Sequence, residues 1–332
     1  MKTLIKNGLL IDPANQVQAY LNLILEDGKV VAVTEEEPEA DRVIDATGKV
    51  VAPGFIDIHM HEDPVKDGKI EFCIFDAMLR MGVTTAVGGN CGINVYDPVK
   101  YLDMVEKDGA PVNVMLFAGH QYFREAAGAL DKYAPVTKEQ QEHMKKGLEK
   151  ALEAGCVGIS YGLRYVPGTG RDEFLDTASC CEKEHRMISA HVRDDEDRVF
   201  GAVAEVAEAG KLYNIPVQVS HIGSMAGFGQ MKQLLRQVDG YRMNGIDVAC
   251  DCYPYFAFST RIGATTYDDG WLERYHCDYS ACQLTEGKYK GQRCTPETFA
   301  EMRRDFPECL TVCYVMDEND IRMASVSYTH LR

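Results

Sequence analysis

His59 and His61 stand two residues apart at the end of an apolar run, Val50-Val51-Ala52-Pro53-Gly54-Phe55-Ile56-Asp57-Ile58. Alternate side chains of a strand point to one face, so both imidazoles fall on one side of a strand end, which is half a site for a divalent metal. Further residues of ligand chemistry close later apolar runs: Cys91 after Val83-Thr84-Thr85-Ala86-Val87-Gly88-Gly89-Asn90, His191 after Ile188-Ser189-Ala190, His221 after Gln218-Val219-Ser220, and Asp251 after Cys250. Each has a plain alternative taken singly. Cys91 between glycines is a small packing residue, a strand-end histidine need hold nothing, and Asp251 anchors the Tyr253-Pro254-Tyr255 turn. Together, four His, one Cys and one Asp at strand ends, in a chain with nine histidines, predict a metal site. Thiolate beside imidazole favours zinc over magnesium or calcium, which prefer oxygen.

Other polar residues near these ends are candidates for substrate. Arg193, two residues after His191, either clamps a carboxylate or pairs with a neighbouring acid. In Ser160-Tyr161-Gly162-Leu163-Arg164-Tyr165, Tyr161 or Tyr165 would polarise a scissile carbonyl and Arg164 would hold an anionic group, with aromatic packing as the equal alternative. Asp251 and Tyr253 complete the substrate-facing set. His120, His143, His185 and His276 fit no ligand spacing and are expected at the surface or in loops. Cys180, Cys181, Cys250 and Cys252 read as buried thiols.

The elements that must position these residues change character near residue 50. Residues 1–50 show short strands at Thr3–Ile11, Leu21–Leu25, Val30–Val33 and Arg42–Asp45, as in a small β-sandwich. From 51 to 255 strands alternate with helices: Gly54–His59, Thr84–Gly88, Asn113–Phe117, Val157–Ser160, Met187–His191, Val217–His221 and Asp247–Asp251, with helices clearest at Lys138–Ala154 and Asp195–Lys211. That alternation predicts an α/β fold, a TIM-like (β/α)8 barrel incomplete at its C-terminus, whose reactive residues sit at the C-terminal strand ends. Residues 256–300 break the pattern and read as an insertion over the barrel mouth. Residues 301–324 return toward the barrel, Cys309–Val315 being a further strand-like run. Residues 325–332 continue no preceding pattern and are expected to be a non-native tail on a truncated frame.

Composition bounds the partners. The 332 residues carry a net charge of −16, from 35 basic and 51 acidic side chains, which argues against nucleic acid or an anionic membrane. No apolar run approaches a membrane span, and twelve cysteines without a signal-like start suit a reducing cytoplasm. The oligomeric state is not indicated.

With these residues in place the chain resembles the amidohydrolase superfamily, and within it the D-aminoacylase (N-acyl-D-amino-acid deacylase) family. The resemblance rests on Pro53-Gly54-Phe55-Ile56-Asp57-Ile58-His59-Met60-His61, Gly89-Asn90-Cys91-Gly92, Gly158-Ile159-Ser160-Tyr161-Gly162-Leu163, Ala190-His191-Val192-Arg193, Val219-Ser220-His221 and Asp251-Cys252-Tyr253-Pro254-Tyr255. It implies a zinc held by Cys91, His191 and His221, a weaker metal position at His59 and His61, and hydrolysis of an N-acyl-D-amino acid to a carboxylate and a D-amino acid. It also implies a base aspartate on a last strand, in a Ser-Asp-Gly motif with no counterpart here. The catalytic residue is therefore unassigned, and the chain as written is expected to be inactive or poorly folded. Two readings compete. A cyclic amidohydrolase of the dihydroorotase or hydantoinase type would place a lysine at the end of the fourth strand, where this chain has Gly158-Ile159-Ser160-Tyr161. A catalytically dead metal-binding barrel would share the absent base.

Overall fold

A computed structural model describes residues 1–327, 330 and 331. The chain divides into two compact units, the smaller formed by Met1–Phe55 with Gly82–Thr84. In it, Lys2–Lys6 pairs antiparallel with Asn22–Glu26 and parallel with Arg42–Asp45, and Lys29–Thr34 edges the sheet. A second sheet sets Leu9–Asp12 between Val17–Tyr20 and Val50–Val51. The single strand expected over Thr3–Ile11 is thus two. Asn7 takes a left-handed φ of 66°, which no strand tolerates. The Cβ of any residue replacing Gly8 would lie 2.6 Å from Val51 Cγ2. The strand Val17–Tyr20 was not expected, because its alternation is too short and too polar to stand out.

The larger unit carries the α/β alternation. The parallel strands of this alternation are β1 (Phe55–Asp57), β2 (Val83–Gly88), β3 (Asn113–Leu116, continued by Ala118–Gly119), β4 (Gly158–Gly162), β5 (Met187–His191), β6 (Val217–Val219) and β7 (Val248–Cys250), of which Phe55, Val83 and Thr84 are counted to the smaller unit. Neighbours in sequence are neighbours in space from β1 to β7. Val157 N donates to Leu116 O at 2.9 Å, joining β3 to the entry of β4. Strands β4, β6 and β7 are buried at every position, Ser160 and Gln218 included, whose side chains are hydrogen-bonded. On the outer edge of β7, Cys250 N donates to His330 O at 2.7 Å and Leu331 makes a parallel bridge to Cys250. Residues 328, 329 and 332 of the expected tail lie outside the described residues.

Helices cover the strands as the spacing predicts. Lys138–Glu153 opens with a capping box between Thr137 and Gln140, a device worth about 1 kcal/mol, and buries Met144, Leu148, Ala151 and Leu152. The helix expected from Asp195 begins at Val199 instead, after a 3-10 turn at Glu196–Arg198. Among the described residues no helix is long and apolar enough to cross a membrane.

The boundary expected at residue 300 falls inside a helix, Pro296–Asp305. The inserted segment continues through β8 (Phe258–Arg261), β9 (Cys282–Leu284) and β10 (Leu310–Cys313), with β10 central in an antiparallel sheet. The run Cys309–Val315 therefore belongs to this sheet, not to the parallel one. Its apolar character serves a separate small core of Phe258, Tyr267, Trp271, Phe299 and Met302, in which Trp271 stacks on Phe299 at 5.2 Å. The segment touches the loop after β5, where Arg274 Nε lies 3.1 Å from Asp195 and Tyr275 donates to the same carboxylate.

Candidate metal centre

Cys91 is the hub. It lies three residues beyond β2, buried, at a left-handed φ of 56°. A non-glycine residue there costs roughly 1–2 kcal/mol and must be held by its surroundings. Two constraints are visible. Asn90 donates to Val87 O at 2.9 Å and Ile58 O at 3.1 Å and accepts from Ser189 Oγ at 3.1 Å, so one side chain ties β1, β2 and β5 together. Ser160 of β4 donates to Gly89 O and accepts from Gly92 N at 3.0 Å, gripping both sides of the cysteine. Gly162 must be glycine, because a Cβ there would lie 2.2 Å from Cys91 O.

Around this sulfur the strand ends deliver the predicted histidines. Cys91 Sγ lies 3.4 Å from His59 Nε2 and 3.5 Å from His221 Nε2. The ligand atoms of Cys91, His191 and His221 all lie within 4.8 Å of one another, as do those of His59, His61 and Cys91. One thiolate thus belongs to two triads. The rings of His191 and His221 meet at 4.4 Å, and those of His59 and His221 at 5.0 Å.

The electrostatics suit a cation. Burial pushes the Cys91 thiol up, but the charge on His59 and the polar contacts of His191 and His221 outweigh it and hold the thiol well below its ordinary range. Burial and then the neighbouring His221 press His191 down to about 4, so its imidazole is neutral at physiological pH. Burial also opposes charge on His59, yet the carboxylate of Asp251 and the thiolate of Cys91 hold it well above its ordinary value. His191 Nδ1 is buried without a hydrogen-bond partner among the described residues. A low-pKa thiol beside the neutral imidazole of His191, whose other ring nitrogen is unpaired among the described residues, is a donor set that fits zinc.

The expected substrate residues separate. Asp251 is at the site but faces the ligands. Its Oδ1 lies 3.2 Å from His59 Nδ1 and accepts from His221 N at 2.6 Å, and its Oδ2 accepts from Gln218 Nε2 at 2.9 Å. Burial raises its pKa, and His59 more than offsets this, so it stays ionised. The backbone bond also explains why β6 stops at Val219, since His221 turns to φ 35° to make it. Ser224 Oγ lies 2.9 Å from His221 Nδ1 and orients that ring.

Tyr161 is not at the site. It is fully buried on the other face of β4, its hydroxyl 3.1 Å from Thr177 and its ring against Phe174, because the pleat sends 161 toward the helix Arg171–Ala178. Tyr165 is the tyrosine at the site, its ring 4.4 Å from that of His191. Arg193 is held bidentately by Glu205, at 3.0 and 2.7 Å, so the pairing alternative describes it. Arg164 reaches Asp194 at 3.2 Å through one guanidinium nitrogen, while its Nε is buried without a partner among the described residues. Tyr253 is half-buried beside Ser224; burial raises its phenol pKa and outweighs the Ser224 contact, which lowers it.

His120, expected at the surface or in a loop, instead opens the helix His120–Ala126 directly after β3 and is buried, with Nε2 3.0 Å from Glu173, which also takes Arg124 at 3.1 Å. Its position after Ala118-Gly119 was the available signal. Sequence reasoning also missed Glu62, Asn90, Ser160, Ser189 and Ser224, polar residues whose roles depend on pairing across strands.

A model of the amidohydrolase family matches residues 42–164. An N-acyl-D-glutamate deacylase of Alcaligenes xylosoxydans xylosoxydans is 31% identical over 283 residues, 77% of this chain and 57% of that protein. A D-aminoacylase of the same organism is 28% identical over 287 residues, 78% and 58%. A crystal structure of the N-acyl-D-glutamate deacylase from Bordetella bronchiseptica, complexed with zinc and a phosphonate inhibitor, superposes with a TM-score of 0.83 at 28% identity, covering 97% of this chain and 73% of that one. The chain belongs to the D-aminoacylase family of amidohydrolases. It spans 57% and 58% of the length of the two curated family members. A dihydroorotase of Elusimicrobium minutum is 42% identical over 226 residues, 65% of this chain and 48% of its own.

Proposed function

We propose that this D-aminoacylase family protein hydrolyses the amide bond of N-acyl-D-amino acids, with zinc held by Cys91, His191 and His221 and a weaker metal position at His59 and His61. The observation that carries the reading is the convergence of Cys91, His191 and His221 within 4.8 Å. Zinc bound there supplies a Lewis acid for the acyl oxygen and makes water a nucleophile near neutral pH. The protein's own residues do the positioning. Asp251 Oδ1, 3.2 Å from His59 Nδ1, is placed to orient that ring with Nε2 toward Cys91. Ser224 fixes His221 from its Nδ1 side in the same way. Tyr165 walls the site beside His191, and its phenol, raised by burial and by Cys91, stays a hydrogen-bond donor. Arg164, with an unpartnered Nε, is the candidate for a substrate carboxylate. The parallel strands fit a TIM-like barrel whose C-terminal ends form this mouth. The proton-accepting base is assigned to no described residue.

The dihydroorotase reading is favoured by the 42% identity over part of the chain, and opposed by the lysine-free strand Gly158–Gly162 and by Cys91 at the hub. Deacylation assays on zinc-loaded and chelated protein separate the two. N-acetyl-D-glutamate and N-acetyl-D-aspartate should be hydrolysed or bound in preference to their L forms, only with zinc. Preference for dihydroorotate or a hydantoin would overturn the reading. Zinc held without turnover of any N-acyl-D-amino acid would fit the non-catalytic barrel.

A further inference from the structure

Glu62 follows His61 directly and is 3% exposed. Its partners are all neutral donors: Oε2 accepts from Gly89 N at 2.7 Å, and Oε1 accepts from Asn94 Nδ2 and Val95 N, both at 3.2 Å. Gly89 and Val95 bracket Cys91, so one carboxylate grips both ends of the loop that carries the hub sulfur. Asn94 extends the grip to β3, donating to Phe117 O at 3.1 Å and accepting from Gly119 N at 2.7 Å. The loop needs such restraint, since Gly89, Cys91 and Gly92 all have positive φ, at 72°, 56° and 78°. A buried carboxylate with no cation of its own is unfavourable unless its donors are fixed, and three fixed donors satisfy it here.

We infer that Glu62 is a positioning residue for the zinc site, coupling the His59–His61 segment to the Cys91 loop so that one sulfur faces both triads. This rests on the zinc reading above. The neighbouring Asp63 supplies the control. It is equally buried and also accepts from three backbone amides, Cys73 N, Ile74 N and Phe75 N at 3.1, 2.7 and 3.0 Å, but these open the helix Ile74–Arg80 and not the Cys91 loop. A merely structural Glu62 would behave like Asp63.

The test measures zinc affinity by chelator competition on the purified chain, Glu62→Gln and Asp63→Asn. The thiolate-to-cobalt charge-transfer band of the cobalt-substituted proteins reports Cys91 ligation. Thermal melting of the metal-free forms reports stability. Glu62→Gln should weaken zinc roughly 10–100-fold and diminish the cobalt band, while Asp63→Asn lowers the melting temperature with affinity within about threefold of the parent. Should Glu62→Gln fail to fold, Glu62→Asp decides, since it keeps the charge but is one methylene too short to hold both Gly89 N and Val95 N. Weakened zinc in Glu62→Asp supports the inference and unchanged zinc overturns it. Tight zinc in the parent and an equal affinity in Glu62→Gln would overturn the role of Glu62 alone. A parent chain that binds no zinc would overturn the zinc reading and this inference with it.

Discussion

Asp251→Asn isolates what a single charge does at the metal centre. Asp251 Oδ1 serves His59 Nδ1 at 3.2 Å and His221 N at 2.6 Å, and Oδ2 takes Gln218 Nε2 at 2.9 Å. An amide of the same shape keeps its oxygen on the first two partners and turns its NH2 to Gln218. That pairing survives by a flip of Gln218, whose Oε1 is buried and unpaired among the described residues. The geometry is then retained and the charge is lost. Without the carboxylate, the hold on the Nδ1–H tautomer of His59 weakens, and so does its Nε2 as a ligand. Loss of such an outer partner weakens metal affinity about 10–100-fold, or roughly 1.4–2.7 kcal/mol. The loss should fall mainly on the position formed by His59, His61 and Cys91, with the Cys91–His191–His221 position changing less, since the amide oxygen keeps His221 N. Stepwise zinc titration against two chelators of different strength resolves the positions. Equal weakening of both, or of neither, would refute the assignment of Asp251 to His59.

Gly162→Ala places a Cβ 2.2 Å from Cys91 O and 2.9 Å from Tyr165 Cδ2, so it should cost about 1–3 kcal/mol of stability in thermal denaturation and loosen zinc with it. Arg193→Ala should leave zinc content and substrate preference unchanged, because Glu205 already occupies the guanidinium; a changed preference between acidic and neutral substrates would show otherwise. Zinc affinity at the His59–His61–Cys91 position should rise with pH through and above neutrality, because the loaded form needs His59 unprotonated and the free form holds that proton well above its ordinary range. Calorimetric titration in two buffers of different ionisation enthalpy measures that proton release. Cys91 should contribute little of it near neutrality, since its thiol is already held low.

The clustering of the candidate ligands was legible because each closes an apolar run, and the end of a parallel strand is a fixed place. Met187–His191 and Arg42–Asp45 have the expected bounds, each marked by apolar residues, Met187, Ile188 and Ala190 in one and Val43 and Ile44 in the other. Strand bounds failed where one residue leaves the β region: Asn7 splits the first strand and His221 ends β6 early, both at positive φ that residue type alone does not announce. Tyr161 and Tyr165 could not be told apart without the pleat, which sends 161 to the helices and leaves the loop to put 165 beside His191. The grips on Cys91 by Glu62, Asn90 and Ser160 were illegible because each joins residues 27 to 99 positions apart. The same holds for Cys309–Val315, whose apolar run looks alike in a parallel or an antiparallel sheet until its neighbours are known.

The most direct test of the account is the zinc content of the purified chain and of its Cys91→Ala variant by elemental analysis, with folding of both checked by circular dichroism. The account predicts tightly held zinc in the parent that is lost from the folded variant. Zinc retained without Cys91 would contradict it, because the sulfur common to both triads would then hold no metal.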